Sequence, residues 1–385
     1  GPCINNLSPL AKMQALTTLS IASLAADDYT PIASLRIRRL HIAGAPAEQI
    51  AVIFRALGKR LESAVISDCT LTQEANDAIL QSTRLSSLRF EQTDGIDTSA
   101  AAWKGLKNLT GLQMTDCRLG GLSFLKNYVA TVIVKLDTIR IDDTVCSVDF
   151  DKYFLKADNV PSNVLLDFLD GTGGRWLYAT VGMETGAVSP AVISSLGHIN
   201  SLLSLDVQAV SPDALNAANW SGFPKLEQLK LSASGTCDAG FLQSLAGLKR
   251  LTISHTAVTN SKALGTLASL KQLSLISCTL NRWDFLDQLI QLELFSSADS
   301  NGPASLTFVK PLQQLDILAL EAVPVTDLSP LTGHTLSYLY LYGCPINDYK
   351  PLETLRELSL LSCSTDAALP ELGCRVLRQR MIATD

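Results

Sequence analysis

The chain has 385 residues, 47% of them hydrophobic and 18% charged, and so apolar a chain must bury nearly half of itself, which excludes intrinsic disorder. Compact domains stop growing near about 250 to 300 residues, and no Pro/Gly/Ser-rich linker or run of charge divides this chain, so an elongated core is expected in place of one large globule. With 31 basic against 37 acidic residues the net charge is −6; a chain with no positive surplus has little to displace counterions from a phosphate backbone, and nucleic acid is not the expected partner.

In chain order the expected elements repeat. Ile4-Asn5-Asn6-Leu7-Ser8-Pro9-Leu10 opens the chain, and strand-like alternation follows around Leu19 and Leu40. Residues 46–60 carry helical spacing, with Ile50, Ile53, Phe54 and Leu57 on one face, and 72–82 form a second such segment. Strands are expected at Ala64, Leu88 and Leu112, the last in the full pattern Leu109-x-x-Leu112-x-Met114-x-x-Cys117-x-Leu119. The longest apolar stretch, 128–136, is interrupted by Lys135 and is too short to cross a bilayer. Residues 130–200 are the least regular, and the strand markers there, Val132, Leu155 and Ala179, rest mainly on the expected interval. Gly171-Thr172-Gly173-Gly174 reads as a loop between repeats, with no following Lys to make it a phosphate cradle.

From Leu205 the spacing steadies at Leu229, Leu251, Leu273, Leu292, Leu318, Leu339 and Leu358. The full motif returns as Leu270, Leu273, Leu275, Cys278, Leu280 and as Leu336, Leu339, Leu341, Cys344, Ile346. Residues 374–380, with three arginines, suit a last degenerate strand within a C-terminal cap over 366–385. About sixteen repeats of 19–26 residues result, with a mean step of about 22.6 residues from Leu19 to Leu358.

A period of about 20 to 29 residues carrying L-x-x-L-x-L-x-x-[NC]-x-L is the leucine-rich-repeat signature, and the chain resembles that superfamily over residues 4–365. The opening phrase comes back as Val325-Thr326-Asp327-Leu328-Ser329-Pro330-Leu331 and, more loosely, as Ile346-Asn347-Asp348-Tyr349-Lys350-Pro351-Leu352. It is similar to the short repeat of type-1 protein phosphatase regulators and bacterial internalins. The resemblance implies an α/β solenoid or horseshoe: a single domain over 1–385, a parallel sheet on the concave side, and 3₁₀ and helical segments on the convex side. In x-L-x-L-x the two leucines share one face of a strand, so no unit can bury its own leucines and stacking is required. The chain opens inside a repeat, without a cap, so further repeats or an effector domain are expected upstream.

Nine cysteines occur, and five of them, Cys69, Cys117, Cys278, Cys344 and Cys363, are assigned to one repeat position, three residues after the second strand leucine. They are read as a structural ladder of free thiols, with a Cys363–Cys374 disulfide as the alternative. Reduced thiols point to an intracellular, cytoplasmic location. No C-x-x-C pair, phosphate loop, nucleophile elbow or H-E-x-x-H motif is present, and the four histidines fall in different repeats. No metal, cofactor or catalytic residue is therefore expected, and the chain reads as no enzyme.

The outward strand positions offer a platform instead. Its first half is small and polar, with His41 at an outward position. Towards the C terminus Ile276, Phe295, Tyr338, Tyr340, Tyr342 and Leu361 are expected to project from the concave side as anchors for a protein partner. Arg89, Glu91, Asp206, Lys230 and Glu293 are secondary candidates that could add charge complementarity. The expected function is a non-catalytic protein interaction scaffold. The alternatives are a phosphatase regulator, the substrate-recognition part of a larger enzyme such as a ubiquitin ligase, and a secreted or surface adhesin.

Overall fold

Each x-L-x-L-x segment becomes a short strand whose leucines point inward, and hydrogen bonding to the next segment aligns leucine with leucine. In the computed structural model, residues 6–22, 28–170, 172, 175–184, 187–364 and 369–378 are described. The chain divides into two compact units, Gly1–Thr185 and Gly186–Asp385.

In the first unit, β1 (Thr18–Ala22), β2 (Arg39–Ala43), β3 (Ser63–Ser67), β4 (Ser87–Glu91) and β5 (Gly111–Thr115) pair in parallel. Leu19, Leu40, Ala64, Leu88 and Leu112 stand in one row, as the repeat predicts. After the two-residue β6 (Arg118–Leu119), β7 (Ile133–Ile141) lies parallel to β5 with Val134 opposite Leu112. The marker is thus Val134, two residues beyond Val132, and an even displacement leaves the inward face unchanged. β7 then turns into β8 (Thr144–Phe150), which runs antiparallel to β7 and to β9 (Phe154–Asp158). This inserted strand is why 130–200 lacks the repeat, and it is the exception to the parallel pairing. Leu155 in β9 faces Ala179 in β10 (Tyr178–Gly182), as expected.

The second unit contains β11 (Ser204–Val210), β12 (Gln228–Asp238), β13 (Arg250–Thr259), β14 (Gln272–Ile276), the two-residue β15 (Thr279–Leu280), β16 (Leu294–Ala298), β17 (Ile317–Glu321), β18 (Tyr338–Tyr342), β19 (Leu360–Cys363) and β20 (Arg375–Arg378). The inward row runs Leu205, Leu229, Leu251, Leu273, Phe295, Leu318, Leu339 and Leu361. Two expectations are overturned. The strand residues of their repeats are Phe295 and Leu361, three beyond Leu292 and Leu358, and an odd displacement turns every side chain to the other face. Of the expected cap, β20 is present, while 379–385 lie outside the described residues, as do Ile4, Asn5, Gly171, Gly173 and Gly174 of the phrases above.

A corner closes most strands. The residue after the strand adopts a left-handed backbone, as at Gly44, Asp68, Gln92, Asp116, Ser277, Asp299, Ala322 and Gly343. Its N–H donates to the last strand carbonyl of the next repeat: Asp68 to Glu91 at 3.0 Å, Gln92 to Thr115 at 2.9 Å, Ala322 to Tyr342 at 2.8 Å. The chain then crosses to the outer side. Where markers are 24 residues apart, as from Leu40 to Ala64 to Leu88, there is room for helices, and α2 (Ala47–Leu57) and α3 (Gln73–Leu80) follow the short α1 (Thr30–Ala33). α2 buries Ile50, Ile53, Phe54 and Leu57, and Thr72 caps α3 by accepting from the Ala75 N–H at 3.4 Å. Where the step is 22, as from Leu229 to Leu251 to Leu273, the outer segment shrinks to a 3₁₀ turn. The repeated Asx-Leu-Ser-Pro phrase is such a turn: Asp327 Oδ1 accepts from the Ser329 N–H at 2.8 Å and Asp348 Oδ1 from the Lys350 N–H at 2.9 Å.

Aromatic clusters fill wider parts of each core. Trp103 meets Phe90, Phe124 and Tyr128 in the first unit. In the second, Phe295 meets Phe308 at 5.5 Å and Trp283 at 6.4 Å between ring centroids.

Candidate protein-binding face

The turn ladder comes first, because it separates structural groups from candidate ones. Four of the five cysteines occupy it. Cys69 Sγ donates to the Ser67 carbonyl at 2.9 Å, Cys117 to Thr115 at 3.3 Å, Cys278 to Ile253 and Ile276 at 3.3 Å each, and Cys344 to Leu320 and Tyr342 at 3.6 Å each. Hydroxyls take the same position elsewhere, which the sequence reading missed. Thr93 donates to Ile66 and Glu91, Thr256 to Gly235, and Ser300 to Leu275 and Ala298. A small buried donor is what these carbonyls need, and either chemistry supplies it. Cys363 does not belong to the ladder. It lies within β19 opposite Leu341 as an inward core residue, a consequence of the same three-residue displacement. All the described cysteines are free, and burial raises the pKa of the ladder thiols above its ordinary value.

Among the outward candidates, Ile276, Tyr338, Tyr340 and Tyr342 face away from the core: Ile276 is 38% and Tyr338 39% exposed, and Tyr340 and Tyr342 are half-buried. Phe295 and Leu361 are corrected. Both are 0% exposed, because the short leucine pairs Leu292-Glu293-Leu294 and Leu358-Ser359-Leu360 imitate the strand motif one position set too early. The true register brings out Leu294 and Leu360, which the sequence pattern places inside. Leu294, Ile317, Tyr338 and Leu360 form one outward row, and Ser296, Ala319, Tyr340 and Ser362 the next. Small residues beside large ones leave a recess of about 240 Å³, with Ser296, Ala298 and Ala319 at its base and Glu321, Tyr340 and Tyr342 around it. The Tyr342 hydroxyl is hydrogen-bonded to Ser362 Oγ, which holds the ring in place.

The secondary charged candidates pair locally. Arg89 Nε meets Glu91 Oε1 at 2.6 Å on the outward face of β4, and Lys230 Nζ meets Asp206 Oδ2 at 3.2 Å between β12 and β11. Glu293 is not on the central outward row. It precedes β16, where it pairs with Lys271 at 2.6 Å, just as Glu227 pairs with Lys249 at 2.6 Å. His41 sits between two hydroxyls, Ser20 Oγ and Ser67 Oγ, each at 3.3 Å. Among the described residues no group of three His, Cys, Asp or Glu side chains is placed to hold a metal ion, and no helix is long and apolar enough to cross a membrane. A second recess, of about 610 Å³, opens in the first unit beside Lys152, Tyr153 and Arg175.

This arrangement, short parallel strands stacked by a 21- to 26-residue repeat with 3₁₀ or helical returns, is the leucine-rich-repeat solenoid fold. Solved structures share it. A leucine-rich-repeat protein of Leptospira interrogans superposes with a TM-score of 0.52 at 15% identity, over 98% of this chain and 95% of that one. An internalin of Listeria monocytogenes, InlF, gives a TM-score of 0.48 at 16% identity, over 93% of this chain and 88% of its own. No protein-family model matches the chain, and no curated protein matches it in sequence. At such identities the likeness is one of fold.

Proposed function

We propose that the chain is a non-catalytic module that binds another protein, and that the outward face of β16, β17, β18 and β19 is its docking platform. One observation carries this reading. Leu294, Ile317, Tyr338, Tyr340, Tyr342 and Leu360 stand side by side on a sheet face, with Tyr340 and Tyr342 lining a recess and no segment among the described residues hydrogen-bonded over them. Such a group combines large area with few rotatable bonds, the combination found at the energetic centre of interfaces. The charged pairs elsewhere on the outward strands neutralise themselves, and exposed pairs of this kind contribute about 1 kcal/mol or less.

The test is affinity capture from cells that naturally make the protein, with wild type, Tyr338→Ala/Tyr340→Ala and Arg89→Ala/Glu91→Ala proteins immobilised at equal folded concentration. A specific protein retained by the wild type and the charge variant, and reduced about tenfold or more by the tyrosine variant, is the expected result. Equal retention by all three would place binding on another surface.

A further inference from the structure

We propose that the recess beside β16, β17 and β18 is a site for the guanidinium of an arginine side chain, presented by the docking partner; this rests on the docking face above. Three features point there. The first is space: Ser296, Ala298 and Ala319 put no bulk above the backbone, while Tyr340 and Tyr342 stand beside them, so a recess of about 240 Å³ has aromatic sides. The second is charge. Glu321 is the single charged residue at the outward positions of β14, β16, β17, β18 and β19, registered between Ala298 and Tyr342. It is exposed and makes no ion pair among the described residues.

Of the other outward carboxylates, Glu91 is paired with Arg89, Asp158 with Lys156 and Asp206 with Lys230, whereas Asp137 and Asp149 resemble Glu321 in making no ion pair among the described residues. What sets Glu321 apart is the aromatic recess beside it. Asp299, the exposed corner residue after Ala298, ties the two strands together through its N–H, which donates to the Glu321 carbonyl at 3.1 Å. The third feature is preorganisation, since the Tyr342 hydroxyl is already fixed by Ser362 and little ordering remains for a ligand to impose. A cation is drawn to ring faces and to a carboxylate together. A guanidinium suits both because it is planar, weakly hydrated and able to stack while its N–H groups reach a carboxylate in a fork. A neutral apolar side chain would leave Glu321 desolvated without a partner.

The probe is Nα-acetyl-arginine amide, with the citrulline amide as its uncharged isostere and the lysine amide as a compact cation. Binding is read from the ring resonances of Tyr340 and Tyr342, assigned with Tyr340→Phe and Tyr342→Phe. Saturable shifts of both rings are expected, with affinity for arginine about five- to tenfold above citrulline and the gap erased in Glu321→Gln. Glu321 is exposed, so that variant leaves the core intact. Equal affinity for arginine and citrulline, an unchanged Glu321→Gln, lysine binding as tightly as arginine, or no shift at all would each overturn the assignment. Partner capture lost in Tyr338→Ala/Tyr340→Ala yet untouched in Glu321→Gln would sink the arginine site and leave the docking face standing. Capture untouched in both would sink the docking face itself.

Discussion

Cys146 and Cys237 show what burial does to a single side chain in this fold. They are 4% and 5% exposed, and the cost of placing a thiolate among apolar neighbours pushes their pKa values up to about 11 and about 12. An unfolded thiol ionises near about 8.5. Above that pH the unfolded chain sheds protons that the folded chain keeps, so the folded state binds more protons and stability falls as pH rises. The urea midpoint is therefore expected to be level from about pH 7 to 8 and to decline above about 8.5, each of the two thiols adding a slope of up to about 1.4 kcal/mol per pH unit. Cys237→Ala should flatten the decline; a midpoint that holds steady to about pH 10 would contradict the burial. Phe295 makes the same point in packing. Enclosed by Trp283 and Phe308, it should cost about 3 to 5 kcal/mol on replacement by Ala, whereas exposed Ile276→Ala should stay within about 0.5 kcal/mol. Urea unfolding of the two variants separates a core residue from a surface one, and comparable losses would return Phe295 to the surface.

At the scale of one repeat, the corner after each strand decides how the unit ends. A left-handed residue there costs an L side chain about 1 to 2 kcal/mol, and the position is held by Gly at 44 and 343 but by Gln at 92, with φ 45°. Gln92→Gly is expected to raise stability by about 0.5 to 1 kcal/mol, the relief of strain exceeding the added freedom of the unfolded chain. Gly343→Ala should lower it by about 1 kcal/mol; a Cβ there would meet nothing nearer than the Ala322 N at 3.5 Å, so the loss is conformational. Thermal melts of both variants check the pair, and opposite signs are required. The repeat also explains two misplaced strands. Leu292-Glu293-Leu294 and Leu358-Ser359-Leu360 each read as an inward pair, yet register pairs Phe295 with Leu273 and Leu361 with Leu339. Ser300, at the ladder position eight residues after Leu292, is the local sign of the true register, because a hydroxyl donates to the same carbonyls as a thiol does.

Across the whole molecule, the distribution of charge is visible only in register. Outward cations and carboxylates pair on β4, on β9, and between β11 and β12, Lys135 and Asp137 on β7 make no ion pair among the described residues, and Glu321 is the single charge at the outward strand positions around β18. Two compact units each bury their own leucines, the arrangement by which a solenoid enlarges its core through length.

The sequence by itself determined that this chain stacks repeats: the spacing of Leu19, Leu40, Ala64, Leu88 and Leu112, and again of Leu205 to Leu273, reports directly on a period that parallel pairing must satisfy. It also located four ladder thiols and the tyrosine strand. Tertiary structure alone decided the insertion of β8, because an antiparallel strand and a parallel one carry the same alternation. It alone decided that Phe295 and Leu361 point inward while Leu294 and Leu360 point out, because two leucines separated by one residue fit a strand in either of two registers. Hydrogen bonds to the neighbouring repeats choose between them.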